Sequence, residues 1–214
     1  MEILPIVSIM RLSLLTFIAL SILRIGKFLS TSKYSKGVRG LGGPKQIISE
    51  LTIRGIPFIH SRFFRVMPAA YTLLVMYHAT FFAILFFYPA HVSFICRALG
   101  LSYTSPLQLS PVFWDILTIA NMVCIIAITL RGIIGKIRKT VVGYFKTPFD
   151  ILNYAILILI PLTGYIAAHN ASEIFLNIHI VLSCIYIAFL PYTPVFHAIL
   201  GFIARGIKGW RLGW

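Results

Sequence analysis

Five apolar runs, each long enough to cross a bilayer, are separated by short stretches that hold nearly all the charge. A run of about 18 or more residues with few charges can only be a helix crossing the hydrocarbon, because lipid offers backbone amides no hydrogen-bonding partner. The runs lie at about 4–23, 66–88, 112–130, 149–168 and 174–201. The predicted fold class is therefore all-α: a polytopic membrane protein, one five-helix transmembrane bundle over 1–214. Only 11% of the 214 residues are charged, whereas a soluble domain carries about 25%. The first run is too long for a cleaved signal peptide, has no basic start and shows no small-residue cleavage pattern.

The net charge of +14 would suit nucleic acid, but the cations sit between membrane runs, which excludes that class. Residues 24–65 carry nine Lys and Arg, the connection after the third run carries five, and the tail 202–214 carries three. The intervening connections carry one, Arg97, and none. By the positive-inside rule the N-terminus lies outside and the C-terminus is cytoplasmic. Gly40-Leu-Gly-Gly-Pro44 reads as a turn and matches no phosphate-binding fingerprint. A short amphipathic segment is expected at 47–53. Arg11, inside the first run, either pairs with an acidic group of a cofactor or snorkels to the surface. Cys96, Cys124 and Cys184 are scattered, which argues against an iron–sulfur cluster and a covalently attached haem in this chain.

Histidine spacing carries the functional signal. His179 and His197 in the last run are 18 residues apart, about five helical turns, so a continuous helix puts both rings on one face. They would lie about 27 Å apart, near the ~30 Å thickness of a bilayer core. That arrangement suits one axial ligand for each of two haems stacked across the membrane. It also suits two interface histidines at the ends of a helix. Pro191 and Pro194 are expected to kink the C-terminal half. His78 lies in the middle of the second run, where an ionisable group is functional by default. On antiparallel helices His78 meets His179 at one level. His197 needs a partner on its own side, and His60, also 18 residues from His78, is the candidate, with Met67 as a sulfur alternative.

The segments His179-Ile-Val-Leu, Phe189-Leu-Pro-Tyr-Thr-Pro-Val-Phe-His197, Val75-Met-Tyr-His78-Ala-Thr-Phe-Phe and Asp150-Ile-Leu resemble the gamma (cytochrome b) subunit of respiratory nitrate reductase. The architecture is also similar to the membrane subunit of heterodisulfide reductase. The resemblance runs along nearly the whole chain at low identity, and only the second and fifth runs carry specific motifs. It implies a b-type cytochrome anchor in the plasma membrane, a redox subunit rather than an enzyme by itself. Electrons would pass between membrane quinol or quinone and a cytoplasmic iron–sulfur partner through one or two haems b. It implies His78 and His179 as iron ligands of the outer haem and His197 as one ligand of the inner haem. The other inner histidine is replaced by Pro68, which leaves His60 as the substitute. Arg97 is implied at an outer quinol site, with His91 and His169 as proton-releasing candidates there. Two alternatives stand beside this reading: a haem anchor working in the opposite direction, and a haem-free scaffold or small transporter.

Overall fold

The computed structural model describes residues 3–31, 43–51, 67–102, 109–139, 148–170, 173–193 and 196–212. Among these are eight α-helices: α1 (Ile3–Thr31), α2 (Pro44–Leu51), α3 (Pro68–Phe87), α4 (Pro89–Leu99), α5 (Pro111–Ile137), α6 (Pro148–Asn170), α7 (Glu173–Phe189) and α8 (His197–Leu212). Five segments are long and apolar enough to span a bilayer: Ile6–Ser30, Pro68–Phe87, Pro111–Ile137, Phe149–Asn170 and Glu173–Tyr192. Their outward faces are apolar too, with Leu12, Phe86, Ile116, Phe149 and Ile185 all at least half exposed. In water that surface would be untenable; in lipid it is the solvated face. The chain is thus a multi-pass helical membrane protein.

Local chemistry sets the helix starts. Proline opens α3, α4, α5 and α6, where its missing N–H is no loss and its fixed φ suits the first turn. Ser110 caps α5 by accepting from the Phe113 amide. At α2, Gln46 reaches back to accept from the Gly43 amide, half of a capping box.

Three features depart from the sequence expectation. The connection after α3 is not an open loop: the chain bends at Tyr88 (φ −66°, ψ 121°) and continues as α4. Hydrogen bonds from Tyr88 N to Ile84 O and from Val92 N to Tyr88 O carry the ladder across the bend. Its 11 residues reach about 16 Å, half of a bilayer core. Secondly, α1 and α5 run further than expected, to Thr31 and Ile137, into their basic flanks. Thirdly, the last run is not one helix over 174–201. It stops at Phe189, makes a 3₁₀ turn at Leu190–Tyr192 and restarts as α8 at His197. Pro191 and Pro194 supply no amide, so more than a kink results, and the Leu190 carbonyl is taken instead by the Thr193 amide and hydroxyl. His179 and His197 therefore belong to different helices, and the same-face argument from their spacing lapses.

The chain divides into two compact units. The first comprises residues 1–16 and 69–188. Its apolar core joins Met10, Ala98 and Cys184, with Leu14, Phe94, Ile95, Ile180 and Ile187 around them, so α1, α4 and α7 pack together. Polar side chains supplement that packing. Asn121 of α5, 3% exposed, donates to the Tyr77 carbonyl (3.1 Å) and to Thr80 Oγ1 (3.0 Å) of α3. Tyr186 of α7 donates to Asn153 Oδ1 of α6 (3.1 Å). Such bonds are the common cement between membrane helices, each contributing about 0.6 kcal/mol on average. Arg11 donates from Nε to the Ala98 carbonyl at 2.8 Å. The end of α4 explains the contact: Gly100 (φ 74°) turns the chain so that Gly100 N meets Arg97 O and Leu101 N meets Cys96 O. The carbonyl of Ala98, next along the chain, takes no part in that cap, and Arg11 donates to it.

The second unit comprises residues 17–68 and 189–214. Here Arg24 lies over the rings of Tyr192 (5.9 Å) and Phe196 (5.4 Å), cation–π contacts that tie the broken segment to α1. Helices α2 and α8 pack closely; a Cβ on Gly209 would stand 2.7 Å from the Gln46 carbonyl oxygen, so only glycine fits there. Glu50, 4% exposed, sits 3.4 Å from Lys208 Nζ.

Candidate histidine site

The structure sets His91 against His179. Their ring centres are 5.8 Å apart and their planes 11° from parallel. Three helices create this meeting. His91 enters from the first turn of α4, which the Tyr88–Pro89 bend aims inward. Tyr88 meets the His91 ring edge-on at 5.2 Å and meets Trp114 of α5 on another side. His179 projects from α7 onto α6, where Gly164 makes room for it. A Cβ at Gly164 would lie 2.9 Å from His179 Cε1. Gly164 stands one turn beyond Ile160, so the missing side chain also uncovers the Ile160 carbonyl. His179 Nδ1 takes that carbonyl at 2.8 Å.

His91 is fixed in the same manner. Its Nδ1 contacts the Ile84 carbonyl at 3.1 Å, one of the last carbonyls of α3. A carbonyl only accepts, so in each ring Nδ1 carries the proton and Nε2 presents a lone pair. Burial, with His179 beside it, pushes the His91 ring down to about 4 and keeps it neutral at pH 7. Two half-buried imidazoles thus stack against each other, each with Nδ1 turned to a backbone carbonyl. Backbone carbonyls behind the rings are the outer partners that orient histidine ligands of a metal.

The donor set can be tested against haem. Metal–imidazole bonds of about 2 Å on each side would put two ring centres roughly 6 Å apart. The observed centres are 5.8 Å apart, with the rings stacked near-parallel. No group of three or more His, Cys, Asp or Glu that could hold a bare ion occurs among the described residues. A two-imidazole set suits iron whose other four positions are filled by a macrocycle. Two imidazoles are the ligand type that haem b takes.

The other sequence candidates fall elsewhere. His78, expected opposite His179, turns Nδ1 to the Leu74 carbonyl of its own helix (2.7 Å), and its ring neighbours are Tyr77 and Phe82. It belongs to the stripe Leu74, His78, Phe82 and Phe86, whose other three members are 41%, 47% and 57% exposed. The imidazole brought to His179 is therefore His91, for which the family resemblance implies proton release at an outer quinol site. His169 engages both nitrogens, Nδ1 with the Tyr165 carbonyl (2.9 Å) and Nε2 with Asp115 Oδ2 (3.3 Å), leaving none for iron. Arg97 is exposed in the last turn of α4, where a cation suits the helix dipole. His60 and the side chain of His197 lie outside the described residues. Gly164 and the Ile160 carbonyl were not singled out from sequence; Pro161-x-x-Gly164 inside an apolar run was the available signal. No family model, curated protein or solved structure matches the chain.

Proposed function

We propose that this chain is the b-type cytochrome anchor of a quinol-linked respiratory oxidoreductase, with His91 and His179 as the axial pair for one haem b. The observation that carries the reading is the His91–His179 pair, with each Nδ1 held by a backbone carbonyl and each Nε2 left as a donor. Haem, when bound, supplies one-electron redox chemistry. The protein's part is to orient both imidazoles and hold His91 neutral, with Tyr88 packed edge-on against the His91 ring. The Lys and Arg distribution supports an N-terminus outside and a cytoplasmic C-terminus in the plasma membrane. In that orientation the His91–His179 site lies towards the outer side, and Arg97 and the His169–Asp115 pair belong to the same outer surface. Quinol or quinone would be the membrane-side partner. A cytoplasmic iron–sulfur subunit would dock on the basic loops. A second, inner haem would draw on His197 with His60 or Met67.

The test is a reduced-minus-oxidised spectrum of the purified, haem-supplied chain, with a haem count per polypeptide. A b-type spectrum abolished by His91→Ala and by His179→Ala, with one haem surviving His78→Ala, supports the assignment. A spectrum unaffected by His91→Ala but lost with His78→Ala would restore the pairing expected from sequence. Folded protein that takes up no haem would leave a scaffold or transporter.

A further inference from the structure

Twelve of the nineteen Lys and Arg lie in the second unit, against a single acid, Glu50. That acid does not face outward: it is 4% exposed and held by Lys208. The same unit contains two short helices, α2 and α8, packed through Gly209 with no room for a side chain between them. Neither can span a bilayer, having 8 and 16 residues. Both nonetheless expose apolar side chains. On α8, Ile199, Phe202 and Trp210 follow helical spacing and form one stripe, 37%, 60% and 47% exposed. On α2, Ile48 is 59% exposed. Gly206, on the same stripe of α8, faces Leu51 of α2: a Cβ added there would lie 3.9 Å from Leu51 Cδ2. Arg205 lies on the flank of α8 beside this stripe, and Lys45 is exposed at the start of α2.

We infer that the α2–α8 pair is an interfacial platform that lies in the headgroup layer and selectively gathers anionic phospholipid. An apolar stripe with flanking cations and a tryptophan has the composition of a helix lying in the membrane plane. The apolar side chains sink to the acyl boundary, tryptophan sits at headgroup depth, and the cations meet lipid phosphates. A water-soluble partner would satisfy the charge but would leave the Phe202–Trp210 stripe without an apolar medium; an anionic leaflet satisfies both. The inference requires the membrane-embedded fold and is independent of haem.

The experiment uses the full chain in proteoliposomes, with Trp114→Phe and Trp214→Phe leaving Trp210 as the fluorophore. Brominated phosphatidylglycerol and brominated phosphatidylcholine are compared as quenchers at equal mole fraction. Enrichment of anionic lipid predicts quenching about twofold stronger with the brominated phosphatidylglycerol, falling to the phosphatidylcholine level in high salt. Lys45→Gln with Arg205→Gln should likewise reduce the preference. The salt comparison requires no charge substitution, so misfolding of that variant does not decide the question. Equal quenching by the two lipids at low salt overturns the selectivity. Quenching by neither places the stripe outside the bilayer, on a protein partner or in water, and overturns the inference entirely.

Discussion

Replacing Gly164 with alanine tests the histidine site through one added methyl. The new Cβ would lie 2.9 Å from His179 Cε1 and 3.0 Å from Nδ1. Carbon atoms rest about 3.5–4.0 Å apart, so the ring must retreat from α6 by roughly 0.6 Å or more. The bond from Nδ1 to Ile160 O, now 2.8 Å, then lengthens to about 3.4 Å, beyond useful hydrogen-bond range. Overpacking costs about 1–3 kcal/mol and the lost hydrogen bond about 0.5–1.5 kcal/mol. Better helix propensity returns about 1 kcal/mol, for a net loss of about 1–3 kcal/mol. Gly201→Ala is the matched control, since nothing lies within 4 Å of its added Cβ. That variant should be neutral or stabilised by up to about 1 kcal/mol. Unfolding midpoints in detergent, read beside the absorbance of haem-supplied protein, separate the two. Gly164→Ala should lose stability and shift or lose the spectrum, while Gly201→Ala keeps both. Should the two variants behave alike, the close packing of His179 on α6 is wrong, and with it the argument that Gly164 shapes the site.

Three further outcomes are expected. Because the His91 ring titrates near 4 when folded and near 6.5 when α4 opens, the opened state binds more protons between those values. Stability of α4 in the haem-free protein is therefore full above about pH 6.5 and declines by up to about 3 kcal/mol as pH falls towards 4. Hydrogen exchange over 89–99, corrected for intrinsic rates, should show this and should flatten in His91→Gln. Gly209→Ala, whose Cβ would meet backbone rather than a movable side chain, should separate α2 from α8 and raise exchange over 44–51; unchanged protection would contradict the close approach. Asn121→Leu should cost about 0.6–1.7 kcal/mol through its lost bonds to α3, and a double-mutant cycle with Thr80→Val should recover part of that as coupling.

The spans were legible because hydropathy acts residue by residue: 20 apolar residues cross a membrane whatever their neighbours. The short amphipathic segment expected at 47–53 overlaps α2 (Pro44–Leu51) over 47–51, and 52–53 lie outside the described residues. The histidine pairing was not legible. Matching His78 to His179 assumed straight helices and equal depths, whereas the pairing observed depends on a bend at Tyr88–Pro89 that redirects α4. A proline after an apolar run reads equally well as a loop, and nothing local says that the ladder resumes beyond it. The break at Leu190–Tyr192 misled in the opposite sense. Two prolines three residues apart predict a kink, and the structure ends the helix there. Gly164 was silent because a glycine in a helix declares its purpose only when the side chain that fills its space is known.

The bond between Arg11 and the Ala98 carbonyl joins residues 87 positions apart. The first helix must therefore enter the membrane carrying an arginine whose acceptor has not yet been made. At about 5–20 residues per second, synthesis needs roughly 4–17 s to supply it. Over that interval α1 is an incompletely satisfied span, held by its apolar length while the guanidinium waits near water. The arrival of α4 ends the delay, so assembly of this bundle has an order written into it: α1 is inserted early and is locked in only after α4 emerges.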